Sequence, residues 1–368
     1  MGTQRLFSGT DWINYIQQAL SENKSQKTMF VCGKHMLKQQ ALLDYLESSN
    51  SGFEVFTGFQ SNPDYDSSIN AARLLKKQQC DFILAIGGGS AIDIAKCARR
   101  FSQMNLEQDC LGKQPLITNS IKMLAAPTTA GSGSEATRFA VLYHNHIKYS
   151  VSGDDLLPDY VLLNPGFLKG VPSYQKKSCY LDALCQAVES WWSLRANEES
   201  IRYSENAIKL LLKSFAPYFV LQPEDDKTTC ADVLLGAHYA GKAINITTTT
   251  AAHAMSYGLT TKFGLAHGHA VALCMTQVWK HLLMINDKHL NNVLDSIANA
   301  FGCTTKEEGF NKYISLLNKL EMPRPENVTK KAIAQLAETV NLQRLNNHPV
   351  PLSYRELYAM YERLLSIT

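Results

Sequence analysis

The sequence is poor in charged residues, and its few charges nearly cancel. Of 368 residues only 19% are Asp, Glu, Lys or Arg, and 36 basic residues against 33 acidic ones leave a formal net charge of +3. Nucleic acids and anionic membranes bind proteins through concentrated Lys and Arg, so we expect neither as a partner. A charged fraction below the usual quarter also indicates that much of the chain is buried.

Long apolar runs, paired cysteines and a leader pattern are also missing. No stretch approaches the roughly 20 apolar residues that a membrane helix needs, and residues 1–16 lack the continuous apolar core of a signal peptide. The nine cysteines include no CxxC pair and show no regular spacing, which is typical of buried thiols in a reducing compartment. We therefore expect a soluble cytoplasmic protein without disulfides.

The first half of the chain alternates short β-rich runs with helical segments. The clearest strand is predicted at residues 81–86, an uninterrupted apolar run of the kind found in strands covered on both faces. Other predicted elements are strands at 28–32, 54–56 and 122–126, helices at 69–79 and 90–100, and a hairpin of 139–143 with 148–152. This alternation indicates a parallel α/β sheet.

The sequence changes character near Val171-Pro172-Ser173. From there on, amphipathic helical patterns dominate, and helices are predicted at 180–194, 200–213, 231–243, 333–339 and 354–365. We therefore predict two domains: an α/β domain with a parallel sheet at residues 1–172 and an all-helical domain at residues 173–368.

Two loops rich in glycine and hydroxyl groups follow predicted strands. The first, 87–90, joins the clearest strand to a helix, so its backbone N–H groups can approach a phosphate and Ser90 can cap the helix. The second, 127–134, contains several hydroxyl side chains after another strand. Ligands of open α/β sheets bind at the carboxyl ends of the strands, so the two loops together favour a nucleotide site over two plain turns. The ordinary GxGxxG fingerprint is absent.

The helical half carries polar residues at helical spacing. Asp182 and Gln186 lie four residues apart, as do His253 and Tyr257, and His267 follows. Residues four apart share a helix face, and one Asp with two His from different helices can bind a divalent metal ion. Each residue taken singly is better explained as a buried structural group, and no dense ligand pattern such as HExxH occurs.

Four segments in this order resemble the iron-containing alcohol dehydrogenase family of the dehydroquinate synthase-like superfamily. They are GGGSAIDIAK, PTTAGSGSEAT, DALCQAVE and the stretch from His253 to His267. The resemblance is clearest from Asp81 to Leu273. It implies an N-terminal dinucleotide-binding α/β domain, an all-helical C-terminal domain and an active site in the cleft between them. We also expect a homodimer.

The resemblance assigns the sites residue by residue. For the dinucleotide it implies Gly87, Gly88, Gly89, Ser90, Asp93, Thr128, Thr129, Ser134 and Lys148. For one divalent metal ion, Fe²⁺ or Zn²⁺, it implies Asp182, His253 and His267, with Gln186 where relatives carry a fourth, histidine ligand. Tyr257 also stands where relatives often carry a histidine, so we expect the product to receive its proton through Tyr257 or His269.

The residue after the first predicted strand bears on the choice of cofactor. Relatives that prefer NAD often carry an acid there for the adenosine ribose, and this sequence has Gly33. Without that carboxylate a 2′-phosphate is not repelled, so we expect NADPH or NADH as the cofactor. The neighbouring Lys34 either binds the 2′-phosphate or is a solvated surface lysine.

Within the family, KAINITTTTAAHAMSYGLT and DALCQAVESWWS look most like the phosphonoacetaldehyde reductase branch. This implies reduction of a small anionic aldehyde, phosphonoacetaldehyde, to 2-hydroxyethylphosphonate. Such a dianion needs positive charge and hydrogen-bond donors, for which the candidates are Lys242, Arg138, Asn245 and the threonines 247–250. The alternatives are a general short-chain alcohol dehydrogenase of this family, a non-redox dehydroquinate synthase-like enzyme, and a nucleotide-binding protein that lost its metal because of Gln186.

Overall fold

The computed structural model describes residues 4–48, 52–60, 62–112, 120–145, 147–220, 226–341 and 345–365, without the side chains of His35, Ala41 and Leu43. The chain divides into two compact units. The first consists of Met1–Thr129 and Gly133–Lys169, and the second of Ala130–Ser132 and Gly170–Thr368. Gly131 belongs to the second unit because it packs on Cys179, so closely that a Cβ on Gly131 would lie 2.8 Å from Cys179 Cα.

A parallel sheet forms the centre of the first unit. Within the described residues it has six strands: β1 (Arg5–Ser8), β2 (Lys27–Cys32), β3 (Gly52–Phe56), β4 (Phe82–Gly87), β5 (Lys122–Pro127) and β8 (Tyr160–Leu163). Their order across the sheet is β1-β8-β5-β4-β2-β3. Two more strands, β6 (Phe139–His144) and β7 (Ile147–Ser152), form an antiparallel hairpin.

Helices cover both faces of this sheet. They are α1 (Trp12–Glu22), α2 (Gln40–Ser48), α3 (Tyr65–Lys77) and α4 (Gly89–Phe101). Successive side chains of a strand point to opposite faces: Phe30 of β2 lies in one core cluster with Ile16 of α1, and Met29 lies in the other with Leu75 of α3. Burial on both sides explains why the central strands are uninterrupted apolar runs.

The second unit is helical. Its described helices are α5 (Ser173–Trp192), α6 (Glu198–Phe215), α7 (Lys227–Thr247), α8 (Ala251–Phe263), α9 (His267–Leu283), α10 (Lys288–Ala300), α11 (Lys306–Lys319), α12 (Lys330–Glu338) and α13 (Tyr354–Leu365). Helix α5 packs against α6, α7 and α9 and is buried from Tyr180 to Trp192. None of the described helices combines the length and the hydropathy that a membrane-spanning segment needs.

The predicted parallel α/β half and helical half are confirmed, and the hairpin is present. The short edge strand β1 and its neighbour β8 were not predicted. The proposed cap of α4 is wrong: Gly88, not Ser90, is the N-cap, and its carbonyl accepts from the N–H groups of Ala91 and Ile92. The nine cysteines all lie within the described residues, and none of them forms a disulfide there.

Candidate metal and nucleotide sites

The glycine loop and the hydroxyl loop are neighbours at the carboxyl ends of β4 and β5. A Cβ on Gly87 would lie 2.5 Å from the Cβ of Ala91, so only glycine lets the chain turn directly from β4 into α4. The Thr128 N–H donates to the Gly87 carbonyl at 3.0 Å. Thr129 Oγ1 lies 3.4 Å from where a Cβ on Gly88 would be. The first turn of α4 therefore opens beside two threonines.

Asp93 and Ser134, both predicted to bind the cofactor, bind each other. Ser134 Oγ donates to Asp93 Oδ1 at 2.5 Å, and the Val141 N–H donates to Oδ2 at 3.0 Å. Burial raises the pKa of Asp93, against the opposing effects of Lys96, these two donors and Lys148. Both carboxylate oxygens thus tie α4 to the hydroxyl loop and to β6, so Asp93 shapes the loops.

Gly33, Lys34 and Lys148 complete the predicted nucleotide residues. Gly33 follows β2 with an extended backbone (φ −69°, ψ 148°), a conformation that any residue can adopt. This position could therefore carry an acidic side chain and does not. Lys34 is exposed, whereas Lys148 is half-buried on β7, close enough to lower the pKa of Asp93.

Three helices bring the predicted metal ligands together. Asp182 on α5, His253 on α8 and His267 at the start of α9 have ligand atoms that all lie within 4.8 Å of one another, a group that could hold a metal ion. The approach of α9 to α5 depends on Gly268, where a Cβ would lie 2.0 Å from the carbonyl oxygen of Ser178. Glycine beside His267 is what places that imidazole next to Asp182.

Gln186 lies one helical turn after Asp182 and is 3% exposed. Its Oε1 is buried and has no hydrogen-bond partner among the described residues, while its Nε2 lies 3.4 Å from the Ser132 carbonyl oxygen. A buried acceptor without a donor costs about 1–3 kcal/mol, and a cation would satisfy it. One carboxylate, one amide oxygen and two imidazoles therefore fit a divalent metal ion.

The sequence patterns did not point to Glu189, which lies seven residues after Asp182 on α5. Its carboxylate is 0% exposed. Oε1 accepts hydrogen bonds from the N–H and hydroxyl of Thr250, at 3.2 and 2.6 Å, and from the Ala252 N–H at 2.9 Å. Oε2 contacts Nδ1 of His253. The available signal was its i+7 spacing within the DALCQAVE segment, which puts it on the face of Asp182.

Two carboxylates act on the His253 ring. Its Nδ1 contacts Glu189, and its Nε2 lies 3.3 Å from Asp182 Oδ1. Burial by itself would lower the pKa of His253, but the two carboxylates raise it to about 9. Burial likewise opposes the charge of Glu189, yet the ring and backbone N–H of His253 and the Thr250 hydroxyl leave the pKa of Glu189 below the usual value.

The two predicted proton donors differ in position. The half-buried ring of Tyr257 stacks on the His267 ring, with centroids 5.8 Å apart and planes 8° from parallel. His269 is 0% exposed, and its Nδ1 lies 2.9 Å from the hydroxyl of Tyr174, which also accepts from the Ala266 N–H. Burial lowers the pKa of His269. Tyr257 lies against a residue of the metal cluster, whereas His269 binds Tyr174.

The predicted substrate residues lie on different elements. In the second unit, Lys242 and Asn245 are half-buried on α7. The Lys242 ammonium lies 4.8 Å from the ring centroid of Tyr203 and forms no ion pair with any described residue. In the first unit, Arg138 forms an ion pair with Asp154 at 3.0 Å. Arg138 is therefore neutralised by a carboxylate, whereas Lys242 is not paired with any described carboxylate.

The hydroxyl groups of the threonines 247–250 mostly form hydrogen bonds with other residues of the protein. Thr247 Oγ1 donates to Ser190 Oγ at 2.8 Å, and Thr250 Oγ1 donates to Glu189. Thr248 Oγ1 accepts from the Asn347 amide at 3.0 Å. These three hydroxyls hold the connection between α7 and α8, which leaves them poorly suited to bind a substrate anion.

Comparison with known proteins shows the family. Residues 3–165 match the profile "Iron-containing alcohol dehydrogenase", and residues 178–365 match "Fe-containing alcohol dehydrogenase family, C-terminal". The chain belongs to the iron-containing alcohol dehydrogenase family, which confirms the resemblance and makes this protein an oxidoreductase. Membership implies a nicotinamide cofactor and a divalent metal ion.

Three individual proteins illustrate what the chain is similar to within and around this family. The chain is 34% identical to a phosphonoacetaldehyde reductase of Streptomyces viridochromogenes over 264 residues, which span 65% of each chain. It is 28% identical to a 4-hydroxybutyrate dehydrogenase of Clostridium kluyveri over 93% of this chain and 94% of that one. A sulfoacetaldehyde reductase from Bifidobacterium kashiwanohense, solved in complex with NAD⁺, superposes with a TM-score of 0.91 at 25% identity and covers 100% of this chain and 98% of its own.

Proposed function

We propose that this enzyme reduces a two-carbon aldehyde that carries a tetrahedral anion, with phosphonoacetaldehyde as substrate and 2-hydroxyethylphosphonate as product. The cluster of Asp182, His253 and His267 carries the proposal for the reaction. Support for the substrate comes from the names of two relatives, a phosphonoacetaldehyde reductase and a sulfoacetaldehyde reductase. Both names describe an acetaldehyde with a tetrahedral anionic group on its second carbon.

In this proposal Asp182, His253 and His267 hold the metal ion, and the Gln186 amide oxygen completes the site. When bound, a divalent metal ion would supply a Lewis acid for the carbonyl oxygen, and a reduced nicotinamide would supply the hydride for the carbonyl carbon. The protein's own task is then to orient the aldehyde and supply one proton to the new alcohol oxygen. Tyr257 is our candidate for that proton path because its phenol ring lies against His267.

The proposed cofactor site is the glycine loop 87–90 with Thr128 and Thr129. Backbone N–H groups at the start of a helix bind pyrophosphate well, and the two threonines add hydroxyl donors beside them. We propose that the enzyme accepts NADPH as well as NADH, because Gly33 brings no carboxylate that would repel a 2′-phosphate.

Lys242 is our candidate for the substrate anion. It lies in the same unit as the metal cluster, and no described carboxylate neutralises it. A hydrogen bond to a charged group contributes about 1.5–3 kcal/mol, which corresponds to roughly 10- to 100-fold in kcat/KM. This charge would favour an anionic aldehyde over a neutral one of the same size.

The test is a steady-state comparison of phosphonoacetaldehyde, sulfoacetaldehyde and propanal with each reduced cofactor. We expect kcat/KM for phosphonoacetaldehyde to exceed that for propanal by about 10- to 100-fold or more. Lys242→Met should remove most of this advantage and leave propanal reduction nearly unchanged.

Lys209→Met is the matched control, because Lys209 is an exposed lysine on α6 that pairs with Glu205. Equal kcat/KM for charged and neutral aldehydes in the unmodified enzyme would contradict the proposal of an anionic substrate and would favour a general short-chain alcohol dehydrogenase. Absence of any cofactor oxidation by the metal-loaded enzyme would instead favour a non-redox or inactive protein.

A further inference from the structure

Glu189 links helix α5 to the start of helix α8, beside the hydrogen bond from Trp192 to Thr250. It is fully buried on α5, and its two oxygens face different partners. Oε1 receives the donors at the start of α8, from Thr250 and Ala252. Oε2 contacts Nδ1 of His253, the residue after Ala252. The carboxylate therefore fixes both the start of α8 and the orientation of one imidazole on it.

An imidazole can give a lone pair to a metal ion from one nitrogen only if the proton is on the other. Nδ1 of His253 faces an acceptor that cannot donate when it is ionised, so this nitrogen carries the proton. Nε2 is then the nitrogen that faces Asp182, 3.3 Å away, in the metal cluster. The arrangement has the form of a carboxylate–histidine–metal relay, in which the outer carboxylate orients the ligand.

We propose that Glu189 is a positioning residue that presents His253 to the metal ion, and that it does so because a carboxylate accepts on both sides. This inference rests on the metal site of the proposed function but not on its substrate. Every group that faces Glu189 is a donor: three N–H groups and one hydroxyl on one oxygen, and Nδ1–H on the other. An amide at this position cannot satisfy both sets.

Glu189→Gln is therefore the informative substitution, because it preserves shape and changes one oxygen into a donor. With its oxygen toward α8, the new NH₂ group faces Nδ1–H of metal-bound His253. If the amide turns round, the NH₂ group faces the N–H groups of α8 instead. In the metal-free variant a neutral His253 ring can keep its proton on Nε2, beside Asp182, and accept from the new NH₂ group at Nδ1. The cost of the substitution therefore falls mainly on the metal-bound state.

The experiment measures the dissociation constant of metal-stripped protein for Co²⁺ and Zn²⁺ by competition with a chromophoric chelator, without substrate or cofactor. Loss of an outer carboxylate typically weakens metal binding by about 10- to 100-fold, and we expect that change for Glu189→Gln. The visible absorption of the Co²⁺ protein should shift as well, because the imidazole is no longer held in place.

Thr250→Val is the matched control. It removes one hydrogen bond from Oε1 of the same carboxylate, together with the acceptor of the Trp192 N–H, and leaves the contact between Oε2 and His253. We expect it to lower the melting temperature while the metal affinity stays within about threefold. Circular dichroism of both metal-free variants checks that they fold.

Unchanged Co²⁺ affinity and spectrum in a folded Glu189→Gln protein would overturn the proposal and leave Glu189 as a cap of α8. Equal weakening by Thr250→Val would also overturn it. If the unmodified protein binds neither ion, the metal site itself is wrong and both proposals fail. If it binds metal but reduces no anionic aldehyde, the proposed substrate fails while the role of Glu189 is still decided.

Discussion

His348 is a buried histidine, 2% exposed, whose two ring nitrogens both lack a hydrogen-bond partner among the described residues. Its ring packs edge-on against Trp192. Burial is the main reason that its pKa falls to about 4, Glu189 opposes the fall, and the nearby His281 adds to it. The folded protein therefore keeps His348 neutral under conditions in which an unfolded chain would protonate it.

This difference makes stability depend on pH. With a pKa of about 4 in the folded protein and roughly 6.5 in the unfolded chain, the unfolded state binds more protons between these values. Protonation of His348 in the unfolded chain costs little stability above about pH 6.5. Below that, the free energy of unfolding falls as the pH drops toward 4. At pH 5 the loss from this one residue is about 2 kcal/mol.

His348→Phe isolates the effect, because it keeps a ring against Trp192 and removes the titration. Urea unfolding of the metal-free protein at pH 7.5 and pH 5 measures it. The unmodified protein should lose about 2 kcal/mol more than His348→Phe between the two values. An equal loss in both proteins would mean that His348 is already protonated when folded or stays accessible to water.

At the scale of elements, the contact of α9 with α5 depends on one missing side chain. A Cβ at Gly268 would lie 2.0 Å from the Ser178 carbonyl oxygen and 2.7 Å from the Asp182 Cβ. Both are parts of α5 that cannot rotate away, so Gly268→Ala must push the helices apart. His267, the first residue of α9, would move away from Asp182.

We expect Gly268→Ala to weaken metal binding at least tenfold and to lower stability by about 1–3 kcal/mol through overpacking. Gly264→Ala is a useful control, since Gly264 ends α8 with a positive φ of 68° and a Cβ added there would meet no atom within 4 Å. Backbone strain there should lower stability by about 1 kcal/mol without changing metal affinity. Equal metal affinity in both variants, measured by chelator competition, would contradict the packing argument.

Elements with strong local patterns were predictable from the sequence, and those that depend on distant partners were not. Strand β4 has an apolar run that only a doubly covered strand produces. Strands β1 and β8 are four residues each and pair with each other across more than 150 positions, a contact that no local pattern encodes. The cap of α4 was misplaced for a local reason: the helix starts at Gly89, inside the glycine run, so that Gly88 and not Ser90 is its N-cap.

At the scale of the whole molecule, the family pattern located the residues of the metal cluster but not Glu189, which contacts one of them. Asp182, His253 and His267 were found from ordered segments of the sequence, and the structure brings them together. Glu189 was inside one of those segments, yet its partner His253 is 64 positions away. Ligand residues have chemistry that can be recognised in a sequence, whereas the groups that orient them are ordinary acids whose role depends on packing.

The division into two units leads to a prediction about where metal stabilises the molecule. All three clustered ligands lie on helices of the second unit, α5, α8 and α9. A ligand that binds only the folded state stabilises it by about 2.7 kcal/mol at 100 times its Kd. Stripping the metal should therefore speed amide hydrogen exchange in α5, α8 and α9, which are the elements that the ion joins.

Hydrogen exchange followed by mass spectrometry tests this, with metal-stripped and reloaded protein compared peptide by peptide. We expect the peptides of β2, β4 and β5 to exchange at the same rate in both samples, because no residue of the cluster lies in the first unit. Addition of NADPH to the stripped protein is the complementary control and should slow exchange at 87–93 and 127–129. Faster exchange in the sheet on metal removal, with α5, α8 and α9 unchanged, would place the ion outside the cluster of Asp182, His253 and His267.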